Sequence, residues 1–169
     1  MNISMFHKLY DYHFHINRRV WDECIMALDD ETFIKELPYS IGSIRNHCIH
    51  LIGVDRRWFG RIQGLDPIPA RLKPEEHTTR AQVRATWNIV EDEMRSCLKQ
   101  LTEDDLTRVI TYDMPHRGGM KQNAVWEILL HVVNHATDHR AQMLAMLHQL
   151  GAPTLEHDFI LYLWDYPTS

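Results

Sequence analysis

The sequence predicts an all-α protein, a four-helix bundle with a short C-terminal segment packed on it. Three observations lead there. Four stretches of about twenty or more residues carry apolar side chains at three- and four-residue spacing. Segments rich in Pro or Gly separate them. The last stretch stacks His131, His135 and His139 four residues apart, and bundles build metal sites in their cores from side chains on facing helices. One domain over residues 1–169 is expected, with no internal repeat.

The first helix is expected from Ser4, as N-cap, to Leu28. Leu9, Ile16, Val20, Cys24 and Leu28 form its stripe, with Phe6, His13 and Asn17 on or beside it. Asp29-Asp30 ends it, and one short turn lies between Glu31 and Leu37 before the breakers Pro38 and Gly42. The second helix opens near Ser40 or Ser43 and runs to Gln63. Its stripe is Ile44, Cys48, Leu51, Val54 or Asp55, Trp58 and Ile62, and His47 and His50 lie along the same side. Pro67, Pro69 and Pro74 mark a surface loop. The third helix, from Thr78 or Thr79 to Leu101, buries Val83, Trp87, Val90, Met94 and Leu98, and turns Arg80, Glu91, Glu93 and Lys99 to water. Leu106 to Lys121 is irregular, with a short strand at 109–112 and turns at Pro115 and Gly118-Gly119. The fourth helix runs from Asn123 to a glycine cap at Gly151. Arg140 falls near the centre of its core face, as structural glue or as an anion site. Phe159 to Trp164 must fold back onto the bundle to escape water.

Composition narrows the function. Lys and Arg number 18 against 23 Asp and Glu, a net charge of −5, and no dense basic cluster exists, so direct nucleic-acid binding is disfavoured. The three cysteines, Cys24, Cys48 and Cys97, are scattered and odd in number, which fits buried thiols in a reducing cytoplasm. No apolar run is long enough for a bilayer, and the start lacks the regions of a signal peptide, so a cytosolic, non-membrane protein is expected. There is no G-x-S-x-G elbow, P-loop or dinucleotide fingerprint. A nucleophile pair of Cys48 with the adjacent His47 is disfavoured, because neighbours on a helix point about 100° apart.

Twelve histidines are many for 169 residues. Side chains at i and i+4 stand one above the other on a helix face, so two imidazoles can address one ion. His135 and His139 are such a pair, and the second helix supplies a third ligand, His47 or His50. Three neutral nitrogens with an open fourth position describe a catalytic zinc-like site. Imidazole also suits nickel, iron and copper. The motif lacks the glutamate of H-E-x-x-H, so a general base must come from elsewhere; Glu127, Asp138, Asp11 and Tyr10 are the nearby candidates.

Gly42-Ser43-Ile44-Arg45 leading into His50, then Asp55-Arg56-Arg57-Trp58, and above all Asn134-His135-x-x-x-His139-Arg140-x-Gln142 with Leu147 and Gly151, resemble the DinB-like superfamily over nearly the whole chain. The resemblance implies a DinB-type four-helix bundle with one divalent metal ion, zinc or nickel, on His50, His135 and His139. It thereby favours His50 over His47 and leaves His131 a neighbour. Ala141 stands where many relatives have glycine. The resemblance also implies a homodimer, and a thiol transferase or hydrolase that activates water or a low-molecular-weight thiol against a small molecule. Arg140, Glu127 and Tyr10 are the catalytic candidates. The alternative is a metal-binding stress-related protein without turnover.

Overall fold

The structure, a computed structural model, describes residues 2–167. Four long helices form the bundle: α1 (Ile3–Arg19), α3 (Ile44–Ile62), α4 (Arg80–Gln100) and α6 (Val125–Gln149). Two short helices, α2 (Asp30–Ile34) and α5 (Glu103–Leu106), fill connections, and α7 (Phe159–Asp165) closes the chain. The region expected to be irregular is an antiparallel hairpin, β1 (Val109–Met114) with β2 (Gly119–Ala124), in register Val109 to Ala124. Gly118 and Gly119 turn it at φ +84° and +85°, a region closed to most side chains. No helix is long and apolar enough to cross a membrane among the described residues.

Local signals set most boundaries. Ser43 caps α3, its hydroxyl accepting from the Asn46 amide at 3.1 Å. Thr79 caps α4 in a reciprocal box with Gln82. At Gly151, with φ +76°, the Ala152 amide returns to the Leu147 carbonyl and ends α6. The first helix departs from expectation at both ends. Its N-cap is Asn2, whose side chain takes the Met5 amide at 3.0 Å, not Ser4. It also does not run regularly to Leu28: a π-helical turn, Val20–Cys24, follows Arg19, and a 3₁₀ turn, Ile25–Ala27, follows that. The wider turn shifts the phase. Trp21, outside the expected stripe, thereby enters the core and packs edge-on against Trp87 and Phe33.

The core is continuous through the four long helices, with α3 packed against both α4 and α6, and α1 against α6. As the central helix, α3 buries Ile49, Ile52 and Phe59 beyond its expected stripe. The choice between Val54 and Asp55 goes to Asp55, which is 2% exposed. All three cysteines are free and buried. The tail lies on α1, where Tyr12 meets Phe159 and Tyr162 and donates its hydroxyl to the His157 carbonyl.

Glu91 is a correction, because it does not face water. It follows Trp87 by four residues and so shares its buried face, at 3% exposure. Arg18 of α1 reaches it through Nε and Nη2 at 3.0–3.1 Å, and Arg95 through Nη2 at 2.7 Å. Charge matching thus replaces hydration and ties α1 to α4. Both arginines remain substantially solvated, so Glu91→Ala should lower stability by only about 1–2 kcal/mol, less than the loss of a core aromatic. Urea unfolding with an unchanged slope would measure this; no loss at all would mean that the clamp is ornamental to the fold.

Candidate metal centre

α3 and α6 run antiparallel and face each other through histidines. Counting from the Ser43 cap, His47 and His50 fall on the side of α3 turned toward α6. In the opposite direction His139 and then His135 come into line. His50 Nε2 lies 3.1 Å from His135 Nε2, and both rings centre 4.5 Å or 5.2 Å from their neighbours in the cluster. One ligand nitrogen from each of His50, His135 and His139 falls within 4.8 Å of the others. Two nitrogens at tetrahedral angles on a zinc-sized ion, each about 2.0–2.1 Å from it, would stand about 3.3 Å apart. The His50–His135 pair is close to that spacing, and the third nitrogen lies within 4.8 Å of both.

His47 is not a member of this triad. Its Nδ1 contacts His139 Nδ1 at 3.3 Å, an approach that needs one nitrogen to donate and the other to accept. That contact engages one side of the His139 ring and leaves its Nε2 for the cluster. His131 stacks on His135 with ring centroids 5.6 Å apart, and its edge meets Trp58.

The electrostatics keep the nitrogens unprotonated. Burial, and after it the neighbouring His139, pushes His47, His50 and His135 down to about 4. Burial also lowers His139. Neutral imidazoles retain the lone pairs that a cation needs. Close by is Asp55, buried at 2%; among the described residues only His13 Nε2 approaches Oδ2, at 3.7 Å, and Oδ1 has no partner. Its charge favours the protonated form of His135, so its field reaches the cluster. A lone buried carboxylate is costly, and a divalent cation nearby would offset that cost. Donor set and orphaned carboxylate both fit a divalent ion.

Asp55 and His13 are the site neighbours that sequence reasoning undervalued. The available signal was a carboxylate at core phase in α3 and a histidine on the α1 stripe. From His13 a buried chain continues: Asn17 Nδ2 contacts His13 Nε2 at 3.1 Å, and Arg140 Nη1 donates to Asn17 Oδ1 at 3.0 Å. Arg140 Nη2 donates to Thr137 at 2.8 Å, so this arginine joins α1 to α6. The other catalytic candidates have structural partners. The Tyr10 hydroxyl donates to the Leu129 carbonyl at 2.9 Å, and Glu127 Oε2 accepts from the Ala124 amide and Asn123, capping α6. Asp11 and Asp138 are exposed, with Arg95 and Gln142 as partners.

The chain matches the model of the DinB family over residues 1–168. It is 27% identical over 166 residues to protein DinB of Bacillus subtilis, covering 93% of this chain and 92% of that one. Two crystal structures share the fold. A DinB-like protein from Bacillus cereus superposes with a TM-score of 0.69 at 18% identity, covering 92% of this chain and 97% of its own. A DinB family member from Shewanella denitrificans gives 0.57 at 16% identity, covering 94% and 86%.

The depressed imidazoles make the metal-free protein sensitive to acid. Unfolded histidines bind protons from about pH 6.5 downward, whereas the folded ones resist until about pH 4. The unfolded state therefore holds more protons inside that window, and stability should fall as pH drops through it. Denaturant unfolding at several pH values should show a shallower slope for His135→Gln. An identical slope would remove this histidine from the acid response.

Proposed function

This chain belongs to the DinB family, and from that premise we propose that it is a divalent-metal-dependent enzyme acting on a small molecule, with His50, His135 and His139 as ligands. The observation that carries the proposal is the convergence of three neutral imidazoles from two antiparallel helices within 4.8 Å. Zinc and nickel suit such a donor set. When bound, the ion supplies the Lewis acidity that deprotonates water or a low-molecular-weight thiol near neutral pH.

The chain's own groups do the rest. His47 orients the His139 ring and selects its tautomer, the task commonly given to an outer hydrogen-bonding partner. Asp55 supplies negative charge without occupying a ligand position. The Arg140–Asn17–His13 chain holds α1 and α6 at a constant distance behind the cluster. In front, His50 lines a cavity of about 280 Å³ with Asn46, Arg57 and Arg71, which gives a small substrate a way in. Tyr10 is committed to the Leu129 carbonyl and Glu127 to the Ala124 amide and Asn123, so neither serves as the base. A cytosolic homodimer completes the proposal, and the three free thiols support a reducing compartment.

Elemental analysis of protein purified without chelator should find one divalent ion per chain. His139→Ala should lose it while keeping helix content by circular dichroism, and retained tight binding would sink the ligand set. His47→Phe should keep the ion but weaken its hold by roughly 10–100-fold in chelator competition. Thiol conjugation to an electrophile and ester hydrolysis should then be assayed beside His139→Ala. A stoichiometric ion with no turnover that depends on it would replace the enzyme by a metal-binding protein without catalysis.

A further inference from the structure

The cavity at His50 does not end there. Arg57 and Arg71 form a wall shared with a larger cleft of about 920 Å³ between α3, the 64–71 loop and the β-hairpin. Gly60 permits this: a Cβ there would stand 2.9 Å from Pro69 Cδ, so only glycine lets the loop run back along α3. The loop thereby carries Arg71 toward His50, whose protonated form its charge opposes.

The lining of this cleft is unlike the rest of the molecule. The chain carries a net charge of −5. Yet Arg57, Arg61, Arg71, Arg108 and His116 line the cleft, against one carboxylate, Asp113. Arg108 already pairs with Asp105 at 3.4 Å. Among the described residues no carboxylate lies within 4 Å of Arg57, Arg61 or Arg71. Arg61 is the most telling. It is 7% exposed, lies over the Trp58 and Tyr112 rings at 4.7 and 5.1 Å, and leaves Nε without a partner. Burial and the neighbouring Arg57 charge both work against its protonated form. A buried arginine in that condition is relieved by an anion.

We infer that the cleft binds the anionic end of the substrate or co-substrate, a small molecule carrying two or more carboxylate or phosphate groups held by Arg57, Arg61 and Arg71. The inference rests on the metal reading only for the position of the reacting end. His50, Arg57 and Arg61 follow one another by seven and four residues, so they share one face of α3. At 1.5 Å per residue Arg57 stands about 10 Å, and Arg61 about 16 Å, along the helix from His50. That spacing suits an extended molecule with its charges on the arginines and its reactive group at the histidine cluster. The cleft's size is that of a small-molecule site, on the order of 300–1,000 Å³, rather than of a track for a nucleic-acid strand.

The test is calorimetric titration of the full-length protein, as purified and again after chelation, with citrate, fructose 1,6-bisphosphate and neutral fructose, at low and moderate salt. One or both anions should bind the chelated protein, more weakly as salt rises, while fructose does not; which anion binds separates carboxylate from phosphate recognition. Arg57→Gln and Arg71→Gln should each weaken binding by about tenfold, the loss of one charge-assisted contact. His139→Ala and the remote Arg84→Gln should bind as the parent does, so the anion site stands or falls apart from the metal site, which elemental analysis of the same samples reports. Three results would overturn the inference: neither anion binding; binding that needs the ion and ignores both arginine variants; or a single-stranded oligonucleotide binding through the arginines while the small anions do not.

Discussion

The contact between α3 and α6 is the constraint on which the rest depends. It buries His47 and His139 and half-buries His50 and His135 where a bundle usually buries leucine, and a polar ring taken from water must find another polar group or lose its hydrogen bonds. His47 meets His139, and His50 meets His135. These pairs fix the rotation and register of the two helices more tightly than apolar side chains would, because Leu and Ile tolerate sliding. The same burial keeps the rings neutral, which is what a cation-binding cluster requires.

Behind that contact, the polar groups of the core are joined rather than scattered. Asp55 from α3, His13 and Asn17 from α1, and Arg140 and Thr137 from α6 form one buried sequence of neighbours. Its charges are incompletely matched: among the described residues Asp55 Oδ1 and Arg140 Nε have no partner. Nets of this kind are weak sources of stability and strong sources of specificity. Stability comes instead from the apolar core, where α4 alone buries Val83, Trp87, Val90, Met94 and Leu98, each contributing about 1.5–3 kcal/mol.

In front of the contact, the chain opens a polar approach. The 64–74 segment runs back along α3 and faces the hairpin, and arginines gather in the cleft between them. An acidic protein thus gathers arginines beside a neutral histidine cluster, placing two kinds of polar group along one approach. The bundle supplies the base and the connections shape the cleft, in keeping with the division between regular elements and loops.

Helix content, the breaks at Pro and Gly, the glycine stop at Gly151 and the stack of histidines on the last helix are all legible in the chain, because each depends on spacing over a few residues. The expectation that Glu91 faces water failed because a carboxylate's environment depends on which arginines arrive from another helix. The π turn after Arg19 was invisible because it is held by where Trp21 packs, on Trp87 and Phe33. The hairpin was read only in part, since strand pairing joins residues up to fifteen apart, Val109 with Ala124. By itself, then, the sequence determined a helical bundle with imidazoles stacked at one face, and periodicity left His47 and His50 as equals on the opposing helix. Tertiary structure decided that His50 joins the cluster while His47 backs it, because a fraction of a turn between two packed helices decides which ring meets which.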